Sequence, residues 1–223
     1  MRLYLTRHGQ TVWNTERRMQ GWKDSELSER GISNAKALRE RLKSINFHEI
    51  YASPVGRTMT TAHIVSDLEA DKIIKDENLR EIYLGSWEGK LVDEIEVEYP
   101  KEYSNFRCNP HLYKRTDAES YYDVQKRALI SVNNVITKHG NTDRNILFVT
   151  HTVTLKTIMA YFENREFDRL WDPPFIYDTS LSMVEIQNSK AAIVLHGDIS
   201  HFSDLKGYEF VTKSDAFKKD KRI

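Results

Sequence analysis

Cysteine is all but missing from this chain: Cys108 stands alone in 223 residues. An intramolecular disulfide and a thiolate metal cluster are both excluded. Neither sign of charge is in excess. Lysine plus arginine number 33 and aspartate plus glutamate number 33, so the formal net charge is zero. A general nucleic-acid binder carries a basic surplus, so no nucleic-acid partner is expected. The balance still permits a local cationic pocket for a small anion. No apolar run is long enough for a signal peptide or a membrane span. A cytoplasmic protein with no membrane partner is the expectation. Internal repeats and low-complexity linkers are also absent. One domain is therefore expected over residues 1–212, followed by a polar, lysine-rich tail at 213–223.

What is present describes a globular protein. Hydrophobic residues make up 39% and charged residues 30%, enough for a sizeable core under a well-solvated surface. Residues 2–6 and 145–150 are short apolar runs of the buried parallel-strand type. A further strand is expected at 49–52, and a hairpin from strands 179–187 and 191–195. Ser28 is placed to cap a helix reaching Ser44, with Ile32, Ala35, Leu38 and Leu42 on one face. Ser120 starts a capping box, and Gly140 is a fitting stop for the helix between them. Other helices are expected at 58–66, at 91–99 with Pro100 as its stop, and after His151. Strands alternating with helices point to a three-layer α/β/α sandwich with a mostly parallel sheet and an antiparallel edge.

The chemistry gathers at the carboxyl ends of the strands, where open α/β sheets place their sites. The first strand ends in Arg7-His8-Gly9. Arginine offers a planar fork of donors for a phosphate or carboxylate. Neutral histidine offers a lone pair that attacks an electrophile. Arg57 falls in the first turn of a helix after a strand, where charge and free N–H groups favour an anion. Glu81 lies between apolar residues in Leu79-Arg80-Glu81-Ile82-Tyr83, a setting that favours a proton-donating carboxyl, while nearby arginines oppose it. Glu88 is the second choice for that acid. His151 stands at the end of the strand over 145–150, in the same kind of position as His8. A protonated or hydrogen-bonding His151 is suited to steady a phosphoryl oxygen. His48, His63, His111, His139, His196 and His201 have better structural readings.

Arg7-His8-Gly9-Gln10-Thr11 followed by Asn14 resembles the signature of the histidine phosphatase superfamily, also called phosphoglycerate mutase-like. Other motifs match in order: Gln20-Gly21-Trp22 with Asp24 and Leu27, Ser53-Pro54 with Arg57 and Thr61-Ala62, Glu81, Glu119-Ser120 and His151. The resemblance runs to about Phe202 and is weak between 91 and 118. It implies a phosphomonoester hydrolase without metal or cofactor, working through a phosphohistidine on His8, with Glu81 as acid. Arg7, Arg57 and His151 would hold the phosphoryl group, with Asn14, Gln20, Gly21 and Thr152 as further substrate contacts. Residues 90–118 would be an inserted cap that varies with the substrate. Their aromatics and cations either line a substrate pocket or pack on one another. The family usually has glycine where Thr152 stands, and threonine is expected to restrict the backbone there. A mutase that returns the phosphoryl group is the first alternative, though mutases of the family usually carry a longer insertion between Glu81 and the second histidine. A weakly active phosphate-ligand sensor is another. A metal hydrolase using His8, His151 and Glu81 lacks a compact ligand spacing. The substrate, and the choice between monomer and homodimer, stay open.

Overall fold

The computed structural model describes residues 1–188 and 190–203. Six strands form one sheet: β1 (Arg2–Arg7), β2 (Phe47–Ala52), β3 (Ile74–Lys75), β4 (Asn145–Thr150), β5 (Leu181–Gln187) and β6 (Lys190–Asp198). Among the described residues seven α-helices accompany them: α1 (Val12–Thr15), α2 (Glu29–Leu42), α3 (Gly56–Ser66), α4 (Val92–Glu98), α5 (Pro100–Cys108), α6 (Tyr121–His139) and α7 (Thr152–Glu163). The strand order is β3-β2-β4-β1-β5-β6. The first four strands of that order pair in parallel, while β5 and β6 add an antiparallel edge.

Period-two alternation inside strands that are apolar throughout creates the three layers. Leu3, Leu5, Ile146 and Phe148 face one side, against Val132 and Val135 of α6 and Leu155, Ile158 and Met159 of α7. Tyr4, Leu147 and Val149 face the other, against Ala35, Leu38 and Leu42 of α2 and Ala62 and Val65 of α3. The expected α/β/α sandwich is the observed fold. A third apolar cluster joins Trp87 to Ile95, Tyr103, Phe106 and Tyr113, and these to Tyr121, Val124 and Val153. The aromatic residues of the 90–118 segment therefore pack on one another and on α6 and α7.

Local differences from expectation have physical causes. The expected stop holds, since Tyr99 closes α4 directly before Pro100, but Pro100 also takes the first position of a further helix, α5, where its missing N–H is not needed. The two-residue strand β3 has no pattern of its own and exists through pairing with Tyr51 and Ala52. Gly140 closes α6 in a right-handed conformation (φ −53°), so its freedom to go left-handed is unused. The expected hairpin forms with a longer second strand, and Ser189 at its tip lies outside the described residues. The expected tail at 213–223 also lies outside them. Among the described residues no helix is long and apolar enough to cross a membrane.

Candidate active site

Strand register creates the site. Arg7 pairs with Thr150 across β1 and β4, so the residues just beyond, His8 and His151, emerge side by side. The His8 backbone N–H donates to the Thr150 carbonyl at 3.0 Å. The two imidazole centroids lie 5.2 Å apart.

His8 is buried, and its Nδ1 lies 2.8 Å from the Gly9 carbonyl. A carbonyl only accepts, so Nδ1 carries the hydrogen. Burial, then Arg57 and Arg7, hold the imidazole well below its ordinary pKa. The ring is neutral near pH 7, with its Nε2 lone pair free of that bond.

Arg57 is 2% exposed, and both of its terminal nitrogens are engaged. Nη1 donates to the Lys23 carbonyl at 2.6 Å and to Asp24 Oδ1 at 3.1 Å. Nη2 donates to the Gly21 carbonyl at 2.8 Å and faces His151 Nδ1 at 3.1 Å. Its terminal hydrogens thus latch the 21–24 loop and one histidine, and its buried Nε–H has no partner among the described residues. Arg7 bonds the Ile176 carbonyl through Nη1, and its buried Nε–H is likewise unpaired. Two guanidinium edges are left for an anion.

His151 is fully buried. Guanidinium can only donate, so Nδ1 accepts from Arg57 and Nε2–H donates to Ser53 Oγ at 2.8 Å. Burial first and Arg57 second push its pKa well down. The protonated His151 allowed by sequence is thereby disfavoured, and both ring nitrogens are engaged. Ser53 is the partner that sequence reading passed over.

Glu81 reaches the same place from another segment. Its Oε2 accepts the Val153 N–H at 3.3 Å and its Oε1 the Ile82 N–H at 2.9 Å. The carboxylate thus sits at the amino terminus of α7, where N–H groups favour negative charge. Arg127 of α6 holds this segment: it donates to the carbonyls of Asn78, Arg80 and Glu81. A two-pronged ion pair with Glu119 fixes Arg127 in turn. Nothing in the spacing of α6 marks Arg127 for this task. Glu88, the second choice for the acid, bonds the N–H groups of Trp22 and Leu84 instead.

The remaining candidates divide. Gln20 is buried, and its acceptor Oε1 has no partner among the described residues. Gly21 holds a left-handed φ of +55°, and a Cβ there would meet Glu88 Oε1 at 2.2 Å; only glycine fits. Asn14 Oδ1 accepts the Thr11 N–H and completes the cap of α1. That is a structural task. Thr152 opens α7 without a left-handed backbone, so the expected restriction does not arise.

Comparison with known proteins gives the family and the fold. The sequence model of the histidine phosphatase superfamily (branch 1) matches residues 3–199. The solved structure of YhfR from Bacillus stearothermophilus superposes with a TM-score of 0.86 at 45% identity, covering 90% of this chain and 98% of that one. A probable phosphoglycerate mutase, GpmB of an Enterobacter species, is 42% identical over 90% of this chain and 94% of its own. Phosphoserine phosphatase 1 of Hydrogenobacter thermophilus is 31% identical over 77% of this chain and 80% of its own. The match takes in nearly every described strand and helix, and the chain belongs to branch 1 of the histidine phosphatase superfamily.

Proposed function

We propose that the protein hydrolyses phosphomonoesters through a phosphohistidine formed on His8. Family and fold make it an enzyme of the phosphatase type acting on small phosphorylated metabolites. The observation that carries the mechanism is the neutral His8 with its hydrogen fixed on Nδ1, beside two guanidinium edges. Such a ring attacks only through Nε2.

In the first step, Nε2 forms a bond to phosphorus in line with the ester oxygen. The P–O bond breaks, and the leaving oxygen takes a proton from the Glu81 carboxyl. In the second, water attacks phosphorus and gives a proton to the Glu81 carboxylate. The P–N bond breaks and neutral His8 is restored with free phosphate. Arg7 and Arg57 stabilise the equatorial oxygens through their open Nε–H edges. His151 joins them by exchanging Ser53 for a phosphoryl oxygen at Nε2–H, and Gln20 offers its amide. This arrangement calls on no metal or cofactor for the transfer. A cytoplasmic location and a cap role for residues 90–118 belong to the same proposal.

Rapid quench with labelled substrate should trap an acid-labile, base-stable phosphoryl adduct. His8→Ala should remove both adduct and turnover from a folded protein. Full activity in that variant overturns the mechanism. The likeness to a probable phosphoglycerate mutase keeps phosphoryl return as the second reading. With a phosphoglycerate as substrate, hydrolysis releases free phosphate, whereas a mutase gives the isomer and little phosphate.

A further inference from the structure

At the opposite, amino end of the sheet, β2 carries an irregularity. Phe47 pairs with Asn145 and Glu49 with Ile146, so His48 is an extra residue against its partner strand. In a regular strand, neighbours point to opposite faces. A bulge breaks that rule and re-aims a side chain. Here His48 and Glu49 both meet one residue of α6. The His48 ring lies 5.3 Å from the His139 ring, edge to face. Glu49 Oε2 lies 2.9 Å from His139 Nε2. One ligand atom from each of the three residues falls within 4.8 Å of the others.

We propose that His48, Glu49 and His139 bind a divalent transition-metal ion, with Zn²⁺ the best match to two imidazoles and a carboxylate. This site lies away from His8 and does not depend on the reaction assigned above. Three protein ligands leave a fourth tetrahedral position. A cleft lined by Asn46, Phe47, His48, Asp143, Arg144 and Asn145 opens beside one of the three ligands, His48.

The groups are prepared for this exchange. Tyr51 OH donates to Glu49 Oε2 at 2.7 Å and fixes its orientation from behind, as outer partners do in metal sites. Two cations compete with the ion. Lys138 Nζ pairs with Glu49 Oε1, and Arg144 Nη1 faces His139 Nδ1 at 3.0 Å. Both side chains belong to exposed residues and can withdraw into water. Their departure lets the His139 hydrogen move to Nδ1 and frees Nε2 for the metal. The bound ion would tie β2 to the carboxyl end of α6.

The test is calorimetric titration of the full chain with Zn²⁺, in a His8→Ala background so that the catalytic histidines do not compete. Co²⁺ serves as a spectroscopic probe. One ion per chain is expected, with an intense tetrahedral Co²⁺ band and a raised Tm. His48→Ala removes an exposed ligand without touching the core. It should weaken binding by about tenfold or more, since even outer partners of metal ligands contribute that much. Lys138→Gln removes a competing cation and should tighten binding. No stoichiometric binding, or binding that neither substitution alters, overturns the proposal.

Discussion

At the scale of the residue, the site depends on keeping two histidines uncharged among arginines. His8 and His151 both titrate well below their ordinary value, from burial first and the Arg57 charge second. In the unfolded chain each takes up a proton near pH 6.5. Below that pH the unfolded state binds more protons than the folded one, so stability falls as pH falls. Each histidine contributes a slope of at most about 1.4 kcal/mol per pH unit in that window. The urea midpoint should therefore drop between pH 7 and pH 5, and drop less in His8→Gln, which has no titrating ring. An equal drop in that variant would place the sensitivity elsewhere. Because burial and the arginines lower the His8 pKa, the acid limb of kcat/KM assigned to it lies below pH 6.5.

At the scale of the element, the carboxyl ends of β1 and β4 and the amino end of α7 are fixed by pairing, whereas Glu81 arrives on an irregular segment. Arg127 bridges that segment to α6. Arg127→Met removes one donor from each of three carbonyls and the ion pair from Glu119, leaving Thr154 on the Arg80 carbonyl, Trp22 on the Glu81 carbonyl and the Tyr83 N–H on Glu119. Misplacement of a catalytic group by about 1 Å costs up to about 10²-fold. The variant should lose ten- to a hundredfold in phosphorylation by alkyl phosphates, which need the proton, and much less with nitrophenyl phosphate. Equal losses in single-turnover measurements would give Arg127 a role in folding alone. Sequence legibility followed the same division. β4 was readable in full because it is apolar along its length and ends at His151. Arg7, His8 and Arg57 were readable because a strand or helix end displays them. Arg127 and Ser53 were not, since each acts on groups 46 or more residues away. Nor was the bulge at His48, which only the partner strand defines. Pro100 was read correctly as the stop of α4 but not as the start of α5, since the same residue that stops one helix can begin the next.

At the scale of the whole molecule, the aromatic cluster decides how the parts depend on each other. Trp87 is fully buried and lies within about 6 Å, centroid to centroid, of Tyr99, Tyr103, Phe106 and Tyr113. Tyr121 and Val153 extend the same cluster into α6 and α7. Trp87→Ala should cost about 3–5 kcal/mol. Fluorescence and far-UV circular dichroism should then report one shared unfolding transition at a lower midpoint. Two separated transitions would mean that the 90–118 segment is held independently. The shared packing also bears on how this protein can diverge. A stretch whose aromatics fill an apolar cluster shared with α6 and α7 is not free to change at every position. Inward-facing Tyr103, Phe106 and Tyr113 are under selection for volume, whatever the substrate. Latitude remains at outward positions such as Val97, 84% exposed, and Leu112, 57% exposed. A library that varies those and spares the aromatics should keep most of its members folded, and new preferences would have to arise through an exposed minority of the segment.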